Sequence, residues 1–395
     1  MKVALDATPL LGPRTGVGRY VAGLAEALAG LAGPEPESVA LVPFSWRGTR
    51  DLAAAAPSGP RVRLGRRRAP ARLLQAAWGR LPLPPVEWLS GQVDVFHATN
   101  FVAPPTRRAA TVVTIHDLTY LRFPEMVTDA SARYRQLVPR ALRRGAVVCT
   151  PTAAVATEVA AEYDLPPDNI VVTPLGVDSS WRQATPPDPT WLATHGLPDR
   201  YFLFVGNREP RKNLTTLLTA YRHLRTTRVE MVGTGPTAGE GAGAPGTARG
   251  VPPLVLVGPP GWGATLDTAG LPPDAIRTPG YLPQAYLVQV VAGATALVVP
   301  SWYEGFGLPA LEALACGTPV VASDLPAHRE VLGDQADLVP PGDPAALADA
   351  LARTLDDPGD ERHRAARRTR AAGFTWENCA QATLSAYRLA LESRR

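Results

Sequence analysis

The chain has 395 residues, 45% of them hydrophobic, and a formal net charge of +4, which is too long for one ordinary domain and suits two cores. The longest apolar stretch, residues 285–300, is broken by Gln289 and too short to span a membrane; residues 1–6 lack a signal peptide's layout. Three scattered cysteines, Cys149, Cys316 and Cys379, argue against a disulfide framework or cysteine-ligated metal and make a reduced cytosolic setting the expectation.

In chain order, residues 3–7 read as a strand, followed by a Gly-containing turn and a helix over 17–31. Residues 39–44 form a second predicted strand. Residues 45–92, rich in Arg, Pro and Ala, read as irregular. Short apolar strands are expected at 93–98 and 111–115, a helix at 130–144, a strand at 146–150, a helix at 153–163 and a strand at 170–174. A Pro-rich stretch within 184–199 reads as a linker. The pattern then restarts, with a strand at 201–205, a helix at 214–224 and a strand at 229–232. Residues 234–253, rich in Gly, Ala and Pro, read as a mobile loop. Strands at 254–257, 296–299, 319–322 and 337–339 follow, then helices at 344–355 and 376–393. Strands alternating with helices predict an α/β protein with two doubly wound parallel sheets, over 1–183 and 200–375. Such sheets take ligands at the carboxyl ends of their strands, so a cleft between facing sheet edges is expected.

The block from Ser301 to Glu312 is the most informative. It lies between two apolar runs, so it is a loop opening a helix at a sheet edge. Gly305 and Gly307 let backbone approach a ligand, and Pro309 suits a first helical turn. Free N–H groups there attract phosphate, while Glu304 and Glu312 would accept from sugar hydroxyls. Together these features suggest a sugar nucleotide. The paired carboxylates of a glycosidase are a rival reading, but both lie on one loop–helix unit and the phosphate logic has no place in hydrolysis.

With these elements placed, the chain resembles the retaining GT-B glycosyltransferases of family 4, the glycosyltransferase group 1 proteins. The resemblance covers nearly the whole chain. It rests on Thr15-Gly16-Val17-Gly18-Arg19-Tyr20, Thr114-Ile115-His116-Asp117, Val172-Thr173-Pro174-Leu175-Gly176-Val177-Asp178, the run from Val205 to Asn213, and the Glu304–Glu312 block with Gly317-Thr318-Pro319-Val320-Val321-Ala322-Ser323. It implies two Rossmann-like domains, with the donor held by the second and the final helix, 376–395, crossing back onto the first.

The resemblance assigns Arg211 and Lys212 to the donor diphosphate, and the chemistry agrees: arginine offers a planar fork and lysine a compact charge. A solvated basic turn is the plainer alternative. Glu312 is expected on the ribose hydroxyls and Glu304 on the transferred sugar. Gly305 and the N–H groups of Phe306, Gly307 and Leu308 would complete the phosphate cradle. Gly16 and Gly18 would let backbone approach the donor phosphates, and Arg19 would meet an anionic acceptor. His116 is expected near the reacting carbon, with Asp117 either fixing its tautomer or taking a substrate hydroxyl. The family's arginine after Gly206 is replaced by Asn207, with Arg208 next, so which arginine reaches phosphate stays open.

No Asp-x-Asp occurs in the sequence. The expectation is therefore metal-independent transfer without a cofactor, the leaving phosphate accepting the acceptor's proton on the same face. The motifs resemble mannosyl- and rhamnosyltransferases of polysaccharide assembly, tilting the donor to GDP-mannose and the acceptor to a glycan, lipid-linked or small-molecule hydroxyl. Arg61, Arg63, Arg66, Arg67, Arg68, Arg72 and Arg80 surround Leu73, Leu74, Ala77 and Trp78. That pattern reads as a basic amphipathic helix on an anionic membrane, at the cytoplasmic face of the plasma membrane, or as a solvated face shaped by codon bias. Rival functions are a sugar-nucleotide epimerase of the same fold and a non-catalytic sensor. Nucleic-acid binding is not expected, for want of basic motifs interleaved with aromatics.

Overall fold

The computed structural model describes residues 1–12, 15–45, 49–65, 70–233, 250–263 and 265–394. They form two compact units: Met1–Asp178 with Phe374–Arg395, and Ser179–Gly373. The first unit is built on a seven-stranded parallel sheet of β1 (Lys2–Asp6), β2 (Ser38–Val42), β3 (Val62–Leu64), β4 (Val95–Ala98), β5 (Ala110–Thr114), β6 (Val147–Thr150) and β7 (Ile170–Val172), in the order β3-β2-β1-β4-β5-β6-β7. The second holds a six-stranded parallel sheet of β8 (Phe202–Val205), β9 (Leu254–Val257), β10 (Ile276–Gly280), β11 (Ala296–Val299), β12 (Val320–Ser323) and β13 (Asp337–Val339), in the order β10-β9-β8-β11-β12-β13.

Helices cover both faces, so β4, β9, β11 and β12 are buried along their length and read as continuous apolar runs. Strand order reverses between β1 and β4 in the first sheet and between β8 and β11 in the second, with Leu5 beside His97 and Leu297 beside Leu203. At such a switch point the loops diverge to opposite faces and leave a crevice at the carboxyl ends. The crevices fall at Asp6 and Thr99 in one unit, and at Gly206 and Ser301 in the other.

The final helix, Trp376–Glu392, packs on β5, β6, β7 and the Gly16–Gly30 helix. Two glycines make room for its first turn: a Cβ on Gly23 would overlap the Trp376 indole, and one on Gly176 would overlap its backbone. The indole Nε1–H donates to Asp178 (2.8 Å). Deeper in, the His97 ring bonds Tyr387 Oη (2.8 Å) through Nδ1 and Thr114 Oγ1 (2.7 Å) through Nε2, and Thr114 bonds Tyr20 Oη (2.8 Å). Burial pushes the His97 pKa down to about 3, so this network is neutral.

Several sequence expectations are corrected. Residues 45–92 are not irregular: they carry the helices Thr49–Ala55, Ala71–Trp78 and Glu87–Ser90 as well as β3, elements too short for a periodic signal. Residues 229–232, expected as a strand, continue the Leu214–Gly233 helix. The stretch 184–199 is more than a linker: Asp188 caps the Pro189–Thr194 helix by accepting from Trp191 N–H (2.8 Å). Trp78 does not face outward as a membrane anchor. It is 4% exposed, donates to the Pro84 carbonyl (2.9 Å) and meets Phe44 edge-on. Arg66, Arg67, Arg68, the Arg72 side chain and residues 234–249, most of the stretch expected as a mobile loop, lie outside the described residues. Among the described residues no helix is long and apolar enough to cross a membrane.

Candidate active site

In the second unit, β8 runs into a turn at Gly206 and the short 3-10 helix Pro210–Lys212; Asn213 follows in the left-handed conformation (φ 54°) and starts the next helix. The turn delivers two cations onto one carboxylate. Arg211 Nη1 donates to Glu304 Oε2 (2.8 Å) and to the Tyr303 carbonyl (2.6 Å), while Nη2 reaches Glu209 (2.8 Å). Lys212 Nζ donates to Glu304 Oε1 (2.6 Å), and the Ser301 hydroxyl donates to the same oxygen (2.7 Å). Glu304 is 8% exposed. Burial alone would push its pKa up, but Arg211, Lys212 and His328 outweigh burial and hold it well below the usual carboxylate range.

The sequence expectation puts Arg211 and Lys212 on a diphosphate and Glu304 on a sugar, and does not foresee a direct bond among them. In the structure the three form one interlocked cluster, balanced by Glu209. Arg208 sits differently. The loop 258–263 lies over its backbone, with Gly263 N–H donating to its carbonyl (2.7 Å), and its guanidinium makes no ion pair or hydrogen bond among the described residues. It is the cation of this turn that is not committed to a carboxylate.

Glu304 leads into Gly305, Phe306 and Gly307, then the Leu308–Cys316 helix with Pro309 in its first turn. Gly307 adopts φ +89°, which a side chain would resist. The first-turn N–H groups and helix dipole make an anion-attracting end beside the cationic turn. Glu312 is buried one turn further along, at 3% exposure.

In the first unit, Gly16 starts the Gly16–Gly30 helix; it is exposed, and a Cβ there would meet nothing within 4 Å. Gly18 is buried and Arg19 partly so. His116 follows β5, with Tyr20 and Phe101 edge-on at 5.1 and 5.6 Å. Its Nε2–H donates to the Thr99 carbonyl (2.9 Å), which fixes the tautomer and leaves Nδ1 with a lone pair. Burial pushes its pKa down, against the Thr99 bond and Asp117. Asp117 does not fix that tautomer; it accepts from Thr119 N–H (2.9 Å) at the start of the Thr119–Arg122 helix.

Sequence reasoning assigned no role to four residues here: Asp6, Glu209, Ser301 and His328. An acid ending an apolar strand was the available signal for Asp6. Glu209 and Ser301 bond partners two and three residues away, Arg211 and Glu304, but take their place in the cluster only when folding joins Arg211 to Glu304, and His328 comes beside Gly307 only through the fold. Asp6 is buried at the switch point, where Oδ1 accepts from Thr8 N–H (2.9 Å) and the Thr8 hydroxyl. Burial raises its pKa to about 6 despite those bonds. A raised acid pKa favours the folded state fully below about 3.8, and that stability is lost as pH rises through about 6. Stability should therefore fall by about 3 kcal/mol over this window at 1.36 kcal/mol per pKa unit. Asp6→Asn is expected to flatten the decline; urea midpoints of both proteins from pH 3.5 to 7.5 check it.

The first half of the chain, residues 14–181, matches the family model for Glycosyltransferase Family 4, and residues 199–357 match that for Glycosyl transferases group 1. The chain is 32% identical to O-antigen chain mannosyltransferase B of Escherichia coli over 75% of this chain and 74% of that protein. It is 31% identical to D-inositol 3-phosphate glycosyltransferase of Kineococcus radiotolerans over 78% and 71%. Among solved structures, sucrose-phosphate synthase from Thermosynechococcus elongatus superposes with a TM-score of 0.67 at 20% identity, covering 98% of each chain, a likeness of fold.

Proposed function

The chain belongs to the glycosyltransferase group 1 and family 4 proteins and has the GT-B fold of two parallel-sheet α/β domains; from that premise we propose that it is a retaining mannosyltransferase using GDP-mannose and a glycan hydroxyl. The observation that carries the donor site is the Glu304 cluster beside the N-terminus of the Leu308–Cys316 helix. As the anomeric C–O bond breaks, charge builds on the departing diphosphate, and preorganised donors aimed there accelerate the step. Arg208, Lys212 and the N–H groups of Gly305, Phe306, Gly307 and Leu308 take that charge. With no Asp-x-Asp in the sequence, no divalent ion is assigned a role.

Glu312 holds the ribose and Glu304 meets the hexose through the oxygen valences its cations leave. Gly16 and Gly18 offer backbone N–H groups to the phosphates. His116 presents the Nδ1 lone pair to a sugar hydroxyl, and Asp117 supports its loop. The acceptor oxygen attacks on the face the diphosphate leaves, and its proton passes to the departing phosphate oxygen. The likeness to a mannosyltransferase supports the hexose and a glycan acceptor.

An anionic acceptor is the second reading, with Arg19 as its contact; the likeness to an inositol 3-phosphate glycosyltransferase favours it. Exposed Leu73, Leu81, Leu83 and Trp88 support a lipid-linked acceptor at a membrane, with Leu73 at 70% exposure. No flotation with anionic vesicles at moderate salt would remove that membrane reading. The epimerase alternative finds no support among these relatives.

A thermal-shift comparison of GDP-mannose, UDP-glucose, GDP and UDP tests the donor. A ligand at a hundredfold its Kd adds about 2.7 kcal/mol, a rise of several degrees. GDP-mannose is expected to give that rise and Glu312→Ala to lose it. A response to UDP-glucose alone would overturn the choice of donor, and an undiminished response in Glu312→Ala would overturn the ribose assignment.

A further inference from the structure

His328, fully buried in the first turn of the Pro326–Leu332 helix, has a nitrogen that the assignments above leave unused. Its Nδ1–H donates to the Ser323 carbonyl at 2.6 Å, so Nδ1 carries the ring proton. Nε2 has no hydrogen-bond partner among the described residues. Leaving a buried polar atom unpaired costs free energy, so the arrangement calls for a reason.

Nε2 is aimed at the anion end of the neighbouring helix. A Cβ on Gly307 would stand 3.0 Å from both Nε2 and Cδ2 of His328. Gly307 is the residue that precedes the Leu308–Cys316 helix, so its missing side chain keeps the space between the imidazole and the helix N-terminus open. The charged groups that bear on the ring are Glu304, Lys212, Arg211 and Asp324. Burial pushes the His328 pKa down and the two cations press the same way, while Glu304 and the Ser323 carbonyl press it up. With the site free of ligand the ring is therefore neutral, and Nε2 offers a lone pair where phosphate oxygens would need a proton.

We propose that His328 is a donor-binding residue whose Nε2 takes up a proton from solvent as the donor's diphosphate arrives and donates it to a phosphate oxygen at the N-terminus of the Leu308–Cys316 helix. Nδ1–H stays on the Ser323 carbonyl throughout. When the nucleoside diphosphate leaves, the proton on Nε2 returns to solvent. The arriving negative charge supplies the driving force, because it opposes Arg211 and Lys212 and favours the imidazolium. This rests on the donor reading above.

Calorimetric titration with GDP and with UDP, at about pH 7.5 in two buffers of different ionisation enthalpy, tests the proposal on three proteins. His328→Asn keeps an amide N–H for the Ser323 carbonyl and removes Nε2. His328→Gln places a donor near Nε2 that does not titrate. Wild type is expected to take up close to one proton per nucleoside diphosphate bound. His328→Asn should take up none and bind about tenfold to a hundredfold more weakly, the worth of a charge-assisted hydrogen bond. His328→Gln should recover much of the affinity with no uptake.

Guanosine and uridine, which lack phosphate, should bind all three proteins alike; a parallel loss of nucleoside affinity in His328→Asn would mean a structural role and overturn the proposal. Wild-type affinity or unchanged proton uptake in His328→Asn would overturn it too, leaving the donor reading intact. If wild type binds neither diphosphate, the donor reading itself fails and this one with it.

Discussion

Lys212→Ala should lower kcat by about 10²–10³, the usual cost of removing one preorganised electrostatic donor. Lys212 puts a compact charge 2.6 Å from Glu304 Oε1, beside the helix end where the leaving diphosphate is proposed to sit. Because that charge matters most as the C–O bond breaks, kcat and kcat/KM should fall together. Folding should suffer far less, since Arg211 and Ser301 still hold Glu304. Lys212→Arg should recover only part of the rate, its planar fork being the wrong shape for a point contact. Steady-state kinetics with GDP-mannose, read beside urea denaturation, checks this. A rate loss matched by a rise in KM alone would make Lys212 a ground-state binder, and an unchanged rate would leave it purely structural.

Glu304→Ala should be the most damaging single change for both folding and turnover. It strips the shared carboxylate from two cations whose side chains are only 13% exposed. Breaking a buried pair from one side typically costs about 3–5 kcal/mol, because the remaining charge is left uncompensated. The pH dependence identifies the cause. The Glu304 pKa is lowered in the folded state from an ordinary value of 4.5, so its stabilising contribution is complete above that value and lost as pH falls below it. The gap between wild type and Glu304→Ala should thus be constant from pH 6 to 8 and shrink below about 4.5, opposite in sense to the Asp6 trend. Urea midpoints across that range measure it. A gap that closes instead between pH 6 and 8 would point to a histidine.

The sheets were legible in the sequence because strands buried on both faces read as unbroken apolar runs. The edges were not: β3 is three residues long, β10 carries Arg277, Pro279 and Gly280, and neither offers a pattern. Residues 229–232 look like a strand by composition, but they follow a helix with no breaker between, and continuation prevails. The site was legible where chemistry sits in one run of chain, as in Glu304–Glu312. It was illegible where partners meet through folding. Glu209 is only two residues from Arg211, but nothing near Arg211 indicates that its guanidinium is also spent on Glu304 and the Tyr303 carbonyl, leaving Arg208 uncommitted. His328 is a single imidazole in a helix-starting sequence, and only the fold sets it beside Gly307.

Trp376–Glu392 is made after the second unit yet completes the first, which sets an order on biosynthesis. While the ribosome is still translating the second unit, the Gly23 and Gly176 recesses wait for Trp376, and the β5–β7 face waits for its cover. The first unit therefore cannot finish folding as it emerges, and its half-covered sheet is exposed to chaperones and to aggregation for that interval. Stop codons or frameshifts between residues 179 and 373 should cost the first unit its stability along with the second. A first unit produced alone would need residues 374–395 stitched back onto it.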